Sequence, residues 1–170
     1  YTNNNFIGTK LMVYDDNIKN ALLQCRIRGM TDSNIETIGI PRFDRYYKMD
    51  SGGQDLVFFS FLIAERLRHS DLSNKIIDKC LAQEKKFHIE VMKFASMNKD
   101  INVVIKTKQN ERYLRYVVNL AKDNDYFNLN NLIITNTAKT YDLIKNSKCV
   151  IGFNSTTLIE GLISNKILIS

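Results

Sequence analysis

Cysteine is scarce in this chain. Cys25, Cys80 and Cys149 lie far apart, are odd in number and show no C-x-x-C spacing. That pattern reads as reduced, buried thiols of a cytosolic protein rather than a disulfide framework. Long apolar runs are missing too. The longest, residues 56–64, is interrupted by Ser60 and is far too short to span a bilayer. No signal peptide is visible. The formal net charge is +6, yet the basic residues are scattered, with Arg66/Arg68, Lys85/Lys86 and Lys106/Lys108 as the closest groupings. A nucleic-acid binder would carry a basic stripe with interleaved aromatics, so no nucleic-acid partner is expected. A mildly basic surface remains compatible with an anionic substrate. The sequence contains no G-x-G-x-x-G, no G-x-x-x-x-G-K-[ST] and no G-x-S-x-G. The usual dinucleotide fold, the P-loop and the hydrolase elbow therefore lack support. His88 reads as a satisfied, half-buried histidine, and no metal site is expected.

What is present is ordinary globular material, 44% hydrophobic and 25% charged. A chain of this length can bury about 70% of its extended-chain surface, enough for one full domain. Residues 1–10 are polar and read as loop. Leu11-Met12-Val13-Tyr14 is a predicted strand, and Asp15-Asp16 opens a predicted helix to about Arg28, with Ile18, Leu22 and Cys25 inward. Gly29 suits its stop. Residues 35–38 form a second strand, followed by the only proline, Pro41. Residues 45–54 show no apolar period and contain Ser51-Gly52-Gly53, so they predict an exposed connector between two cores. Residues 55–61 have no polar face and predict a central strand.

Residues 62–72 are either a helical excursion or a loop. A long helix is predicted over 74–97, with Ile77, Cys80, Leu81, Phe87, Val91, Phe94 and Ala95 at helical spacing. Strands at 101–105, 132–134 and 149–151 alternate with helices near 111–122 and 141–144. Ile167-Leu168-Ile169 looks like the beginning of another buried strand, so the chain is expected to be a piece of a longer protein. Beyond residue 54 the alternation of short strands and helices predicts an α/β fold. Its sheet should be doubly wound and mostly parallel, with strands 56–59, 103–105, 132–134 and 150–151 as neighbours.

In such sheets ligands bind beyond the carboxyl ends of the strands. That rule selects Ser60, then Lys106-Thr107-Lys108, then Thr135-Asn136-Thr137, then Asn154-Ser155-Thr156-Thr157. All carry hydroxyl, amide or ammonium groups. The last of them is the start of a predicted helix, with Leu158, Ile159 and Leu162 on one face. A helix start leaves about four N–H groups without backbone partners and carries roughly half a positive charge. Three hydroxyls there can cradle a phosphate. They can also simply cap the helix, and Thr157-x-x-Glu160 fits a capping box. With the two lysines, the chemistry suits a diphosphate.

Two segments carry a family resemblance. Gly39-Ile40-Pro41-Arg42-Phe43-Asp44 resembles the G-x-P-R-F-D segment of bacterial surface-carbohydrate (capsule polysaccharide) biosynthesis proteins. The stretch from Val150 to Leu162, with Gly152-Phe153-Asn154-Ser155-Thr156-Thr157 and Glu160, resembles the donor-site segment of the same proteins. More loosely, both resemble glycosyltransferases and CDP-glycerol glycerophosphotransferases of the GT-B type. The resemblance implies two Rossmann-like domains. Residues 1–47 would be the tail of the acceptor-side domain, and 48–170 a nucleotide-sugar domain truncated at its C-terminus. It implies that Ser155 and Thr156 hold the donor diphosphate, Glu160 accepts from the ribose hydroxyls, and Thr135, Asn136 and Thr137 line the base pocket. Two departures stand out. Lys106-Thr107-Lys108-Gln109 replaces a Lys-Pro-His-Pro-like turn, with Lys106 or Lys108 as substitutes for its contact. Gly161-Leu162 and Asn165-Lys166-Ile167 replace Ala-Leu and Gly-Lys-Pro.

The implied function is glycosyl transfer from a nucleotide-sugar to a glycan acceptor, in polysaccharide biosynthesis. No further cofactor is expected. The location would be cytoplasmic, with peripheral association at the inner face of the membrane. The catalytic base would lie on the acceptor-side domain, so no catalytic residue is named and the piece alone is expected to be inactive. The alternatives are an epimerase or polyol-phosphate transferase on the same fold, or a non-catalytic nucleotide-binding module.

Overall fold

The computed structural model describes residues 5–47, 49, 52–62, 67, 72–153 and 155–170. The expectations for residues 62–72 therefore fall mostly outside the described residues, as does Asn154. The chain divides into two compact units, Tyr1–Arg45 and Tyr46–Ser170.

In the first unit, β1 (Leu11–Val13) pairs in parallel with β2 (Ile35–Thr37), and α1 (Asp16–Gln24) lies between them in sequence. Asp15 caps α1 by accepting from Ile18 N at 2.9 Å, which satisfies one orphan donor of the first turn. The helix ends four residues earlier than its periodicity predicts. Arg26 and Gly29, with φ of 51° and 83°, turn the chain instead. Cys25 is exposed rather than inward, and Cys80 and Cys149 are only half-buried, Cys149 packing against the core. A 3₁₀ turn, Pro41–Phe43, starts on the only proline and buries Phe43.

The second unit begins inside the short helix α2 (Asp44–Tyr47). Tyr46 is fully buried in it, so the predicted connector at 45–54 is in part core. Gly53 shows why a featureless stretch can be structural. A Cβ there would lie 2.1 Å from the backbone carbon of Asn146, so only glycine lets the chain pass.

Five strands follow: β3 (Asp55–Phe59), β4 (Val103–Lys106), β5 (Leu132–Thr135), β6 (Ser147–Gly152) and β7 (Ile167–Ile169). They form one sheet in the order β5-β4-β3-β6-β7, and every pair is parallel. The four predicted strands are neighbours, and β3 is central. Among the described residues the helices between them are α3 (Asn74–Met97), α4 (Glu111–Asp123), α5 (Thr140–Asn146) and α6 (Thr156–Ile163). The chain winds from β3 outward through β4 to β5, then returns to β6 and winds the other way. With right-handed crossovers this puts α3 and α4 on one face and α5 and α6 on the other: a doubly wound, Rossmann-like α/β sheet.

Burial follows that plan. Phe58, Val103, Ile105 and Ile151 pack with Val91, Met92, Val117 and Leu120 of α3 and α4 in one core. Val57, Val104 and Val150 are just as buried, which is why the strands read as apolar on both sides. The inward stripe of α3 is Glu84, His88, Val91, Met92 and Ala95, whereas Phe87 and Phe94, expected inward, are each 36% exposed. Among the described residues, no helix is long and apolar enough to cross a membrane.

Candidate functional site at the carboxyl ends of the strands

Strand order reverses between β3 and β6, whose ends pair Phe59 with Gly152. The loops leaving those ends diverge to opposite faces and open a crevice, the place where open α/β sheets bind ligands. Ser60 and Phe61 leave β3, and Phe153 leaves β6 toward α6.

Helix α6 starts at Thr156 with Ser155 as its N-cap. The Ser155 hydroxyl accepts from Thr157 N at 3.3 Å and lies 2.8 Å from the Thr157 hydroxyl. The Thr157-x-x-Glu160 capping box does not form. Glu160 is buried instead, and its carboxylate accepts from the Tyr46 hydroxyl at 3.0 Å. The inward side of α6 is Glu160 and Gly161, while Ile159 and Leu162 are 47% and 62% exposed, the reverse of the apolar face expected. The cause is close packing. A Cβ on Gly161 would sit 2.9 Å from Leu168 and 3.4 Å from Val150, so the helix turns its smallest residue to the sheet.

The ends of β4 and β5 form a second group. The Lys106 ammonium is buried and donates to the carbonyls of Thr107 and Asn136. Burial pushes its pKa below the ordinary lysine value. Lys106 therefore ties two loops together, and of the two lysines Lys108 is the exposed one, its ammonium 5.8 Å from the Tyr113 ring centroid. Thr135 accepts from Thr137 N and Ala138 N, and the Asn136 amide donates to Glu111. Thr137 is exposed. Ser60 N donates to Lys106 O at 2.9 Å and joins this group to the crevice. The structure thus brings Lys106, Thr135, Asn136 and Thr137 together, and places Ser155, Thr156 and Thr157 beyond β6, two strand positions from β4 and three from β5.

Sequence reasoning missed two features of the crevice. The first is its aromatic lining: Phe61 lies 5.2 Å from Phe153 and 6.0 Å from Phe58, ring centre to ring centre. A cavity of about 270 Å³ opens beside this pair, with Phe87, Cys80 and Gly152 also in its wall. An aromatic within two residues of the end of each of two central strands was the signal available. The second is the partner of His88. The ring is fully buried, with Nε2 2.8 Å from the Ser60 hydroxyl and Nδ1 2.8 Å from Glu84 O. Burial lowers its pKa. Nearby, Tyr116 has its pKa pushed up to about 12 by burial and by its hydrogen bond to Glu84. Among the described residues no cluster of His, Cys, Asp or Glu is placed to hold a metal ion.

No protein-family model matches the chain. No curated protein matches it either. A solved structure similar to it is that of a glycosyltransferase from Rickettsia africae ESF-5, at 15% identity and a TM-score of 0.42. The match covers 94% of this chain and 43% of that one, so this chain spans less than half the length of that protein.

Proposed function

We propose that the unit Tyr46–Ser170 binds a nucleotide-sugar at the carboxyl edge of its sheet, and that the protein is a GT-B glycosyltransferase of bacterial surface polysaccharide biosynthesis. On this reading the first unit is the tail of the acceptor-side domain. The observation that carries the proposal is the reversal of strand order at β3 and β6, with the start of α6 directly behind it. The site would be extended. Adjacent strands lie about 4.8 Å apart, so the β5 loop stands roughly 14 Å from the β6 loop. A single phosphate cannot reach both, whereas a nucleotide can. The diphosphate then lies at Ser155, Thr156 and Thr157, with Lys108 as an exposed cation, and the base lies at Thr135, Asn136 and Thr137. Asn154 and Glu160 complete the set by resemblance, and Glu160 already serves Tyr46. Departure of the nucleoside diphosphate would be assisted by the helix N–H groups.

The test is calorimetric titration with uridine, cytidine, guanosine and adenosine diphosphates. One of them should bind, and Ser155→Ala or Thr156→Ala should weaken it roughly ten- to a hundredfold, the value of one charge-assisted hydrogen bond. Lower melting temperature with unchanged affinity would return these residues to helix capping alone.

A further inference from the structure

The pair Ser60–His88 restricts what the crevice can recognise. Glu84 O is a carbonyl and can only accept, so at 2.8 Å the His88 Nδ1 carries a hydrogen. The ring is fully buried and packs against Phe58, Phe61 and Tyr116 at 5.0, 5.9 and 6.1 Å between centroids. Such surroundings favour the neutral form, and the lowered pKa of His88 agrees. A neutral imidazole protonated at Nδ1 has a lone pair at Nε2. The hydroxyl of Ser60 must then donate to it across their 2.8 Å contact.

With its only hydrogen spent, the Ser60 oxygen offers nothing but lone pairs. Phosphate oxygens are acceptors as well, so Ser60 is mismatched to a diphosphate and matched to a ligand hydroxyl. Its place in the sheet says which. β3 lies between β6, where the proposed diphosphate sits, and β5, where the base sits. The ribose joins the two. We infer that Ser60, oriented by His88, accepts a hydrogen bond from a ribose hydroxyl and takes no part in holding the diphosphate. His88 is a positioning residue, acting through Ser60. This inference rests on the nucleotide reading given above.

Two measurements test it. In the first, wild type, Ser60→Ala and Ser60→Thr are titrated with the preferred nucleoside diphosphate and with inorganic diphosphate. Ser60→Ala should weaken the nucleoside diphosphate roughly two- to tenfold, the loss of one neutral hydrogen bond. Inorganic diphosphate should bind as before, and Ser60→Thr should restore the difference. Equal weakening of both ligands, or of neither, overturns the inference while leaving nucleotide binding intact. Wild type that binds no nucleotide removes the proposed function and this inference with it. In the second, nitrogen-15 NMR of wild-type His88 should show hydrogen on Nδ1 and none on Nε2. A protonated Nε2 overturns the inference even if Ser60→Ala fails to fold.

Discussion

At the scale of single residues, buried His88 sets how the unit responds to pH. His88 has a pKa lowered from 6.5, chiefly by desolvation. The groups around it are Ser60, Tyr116 and, one helical turn away, Glu84. As pH falls below about 6.5 the unfolded chain binds a proton that the folded imidazole refuses. The contribution of His88 is therefore fully present above that pH and is lost as pH falls toward its lower folded value. Urea midpoints between pH 7.5 and 5 should fall more steeply for wild type than for His88→Gln, and parallel curves would show that His88 titrates alike in both states. Glu160 gives a second forecast. Removing the charge that accepts from Tyr46 should cost about 1.5–3 kcal/mol, so Glu160→Gln and Tyr46→Phe should each lower the denaturation midpoint. The double variant should be less destabilised than their sum. If Glu160 also reads the ribose, Glu160→Gln will weaken a nucleoside diphosphate and spare inorganic diphosphate.

At the scale of elements, glycines and one asparagine carry more than their local pattern suggests. Gly161→Ala adds a methyl against the flexible tip of Leu168, and alanine regains up to about 1 kcal/mol of helix propensity. Near-neutral stability is the expected outcome. Gly53→Ala meets the Asn146 backbone, which cannot step aside, and should cost about 1–3 kcal/mol or more. Urea denaturation of both variants checks the contrast, and equal costs would contradict the packing described. The Asn131 amide is a further case: its two Nδ2 hydrogens are shared among Ala95 O, Asn98 O and Ile101 O, fastening the end of α3 to β5. None of this was legible in the sequence, because close approach and side-chain clamping depend on partners far along the chain. The elements themselves were legible. Strands buried on both faces read as unbroken apolar runs, and α3 was predicted over 74–97, the span it occupies. The inward face of α3 was legible only in part, at Val91 and Ala95, and that of α6 was not. Glu84, His88 and Glu160 are buried because partners satisfy them, and a hydropathy period cannot see partners.

At the scale of the whole molecule, the parallel sheet followed from the alternation of strands and helices, whereas the point where the second unit begins did not. Composition marks only a connector over 45–54, and the start at residue 48 is what the family resemblance implies. The structure starts the unit at Tyr46. The difference is two residues, and it decides whether a fully buried ring is kept. Tyr46 stacks at 5.5 Å from Tyr141 of α5 and bonds Glu160 of α6, so it joins the two helices on one face of the sheet. We predict that a chain starting at Tyr46 is more stable than one starting at Lys48. Deleting a large buried aromatic costs about 3–5 kcal/mol, and the carboxylate left behind loses a donor. That is a large share of the 5–15 kcal/mol typical of a domain. Urea denaturation of the two truncated chains, followed by circular dichroism, measures the gap. Equal midpoints would place the boundary where the resemblance implies it and leave Tyr46 without the structural role described.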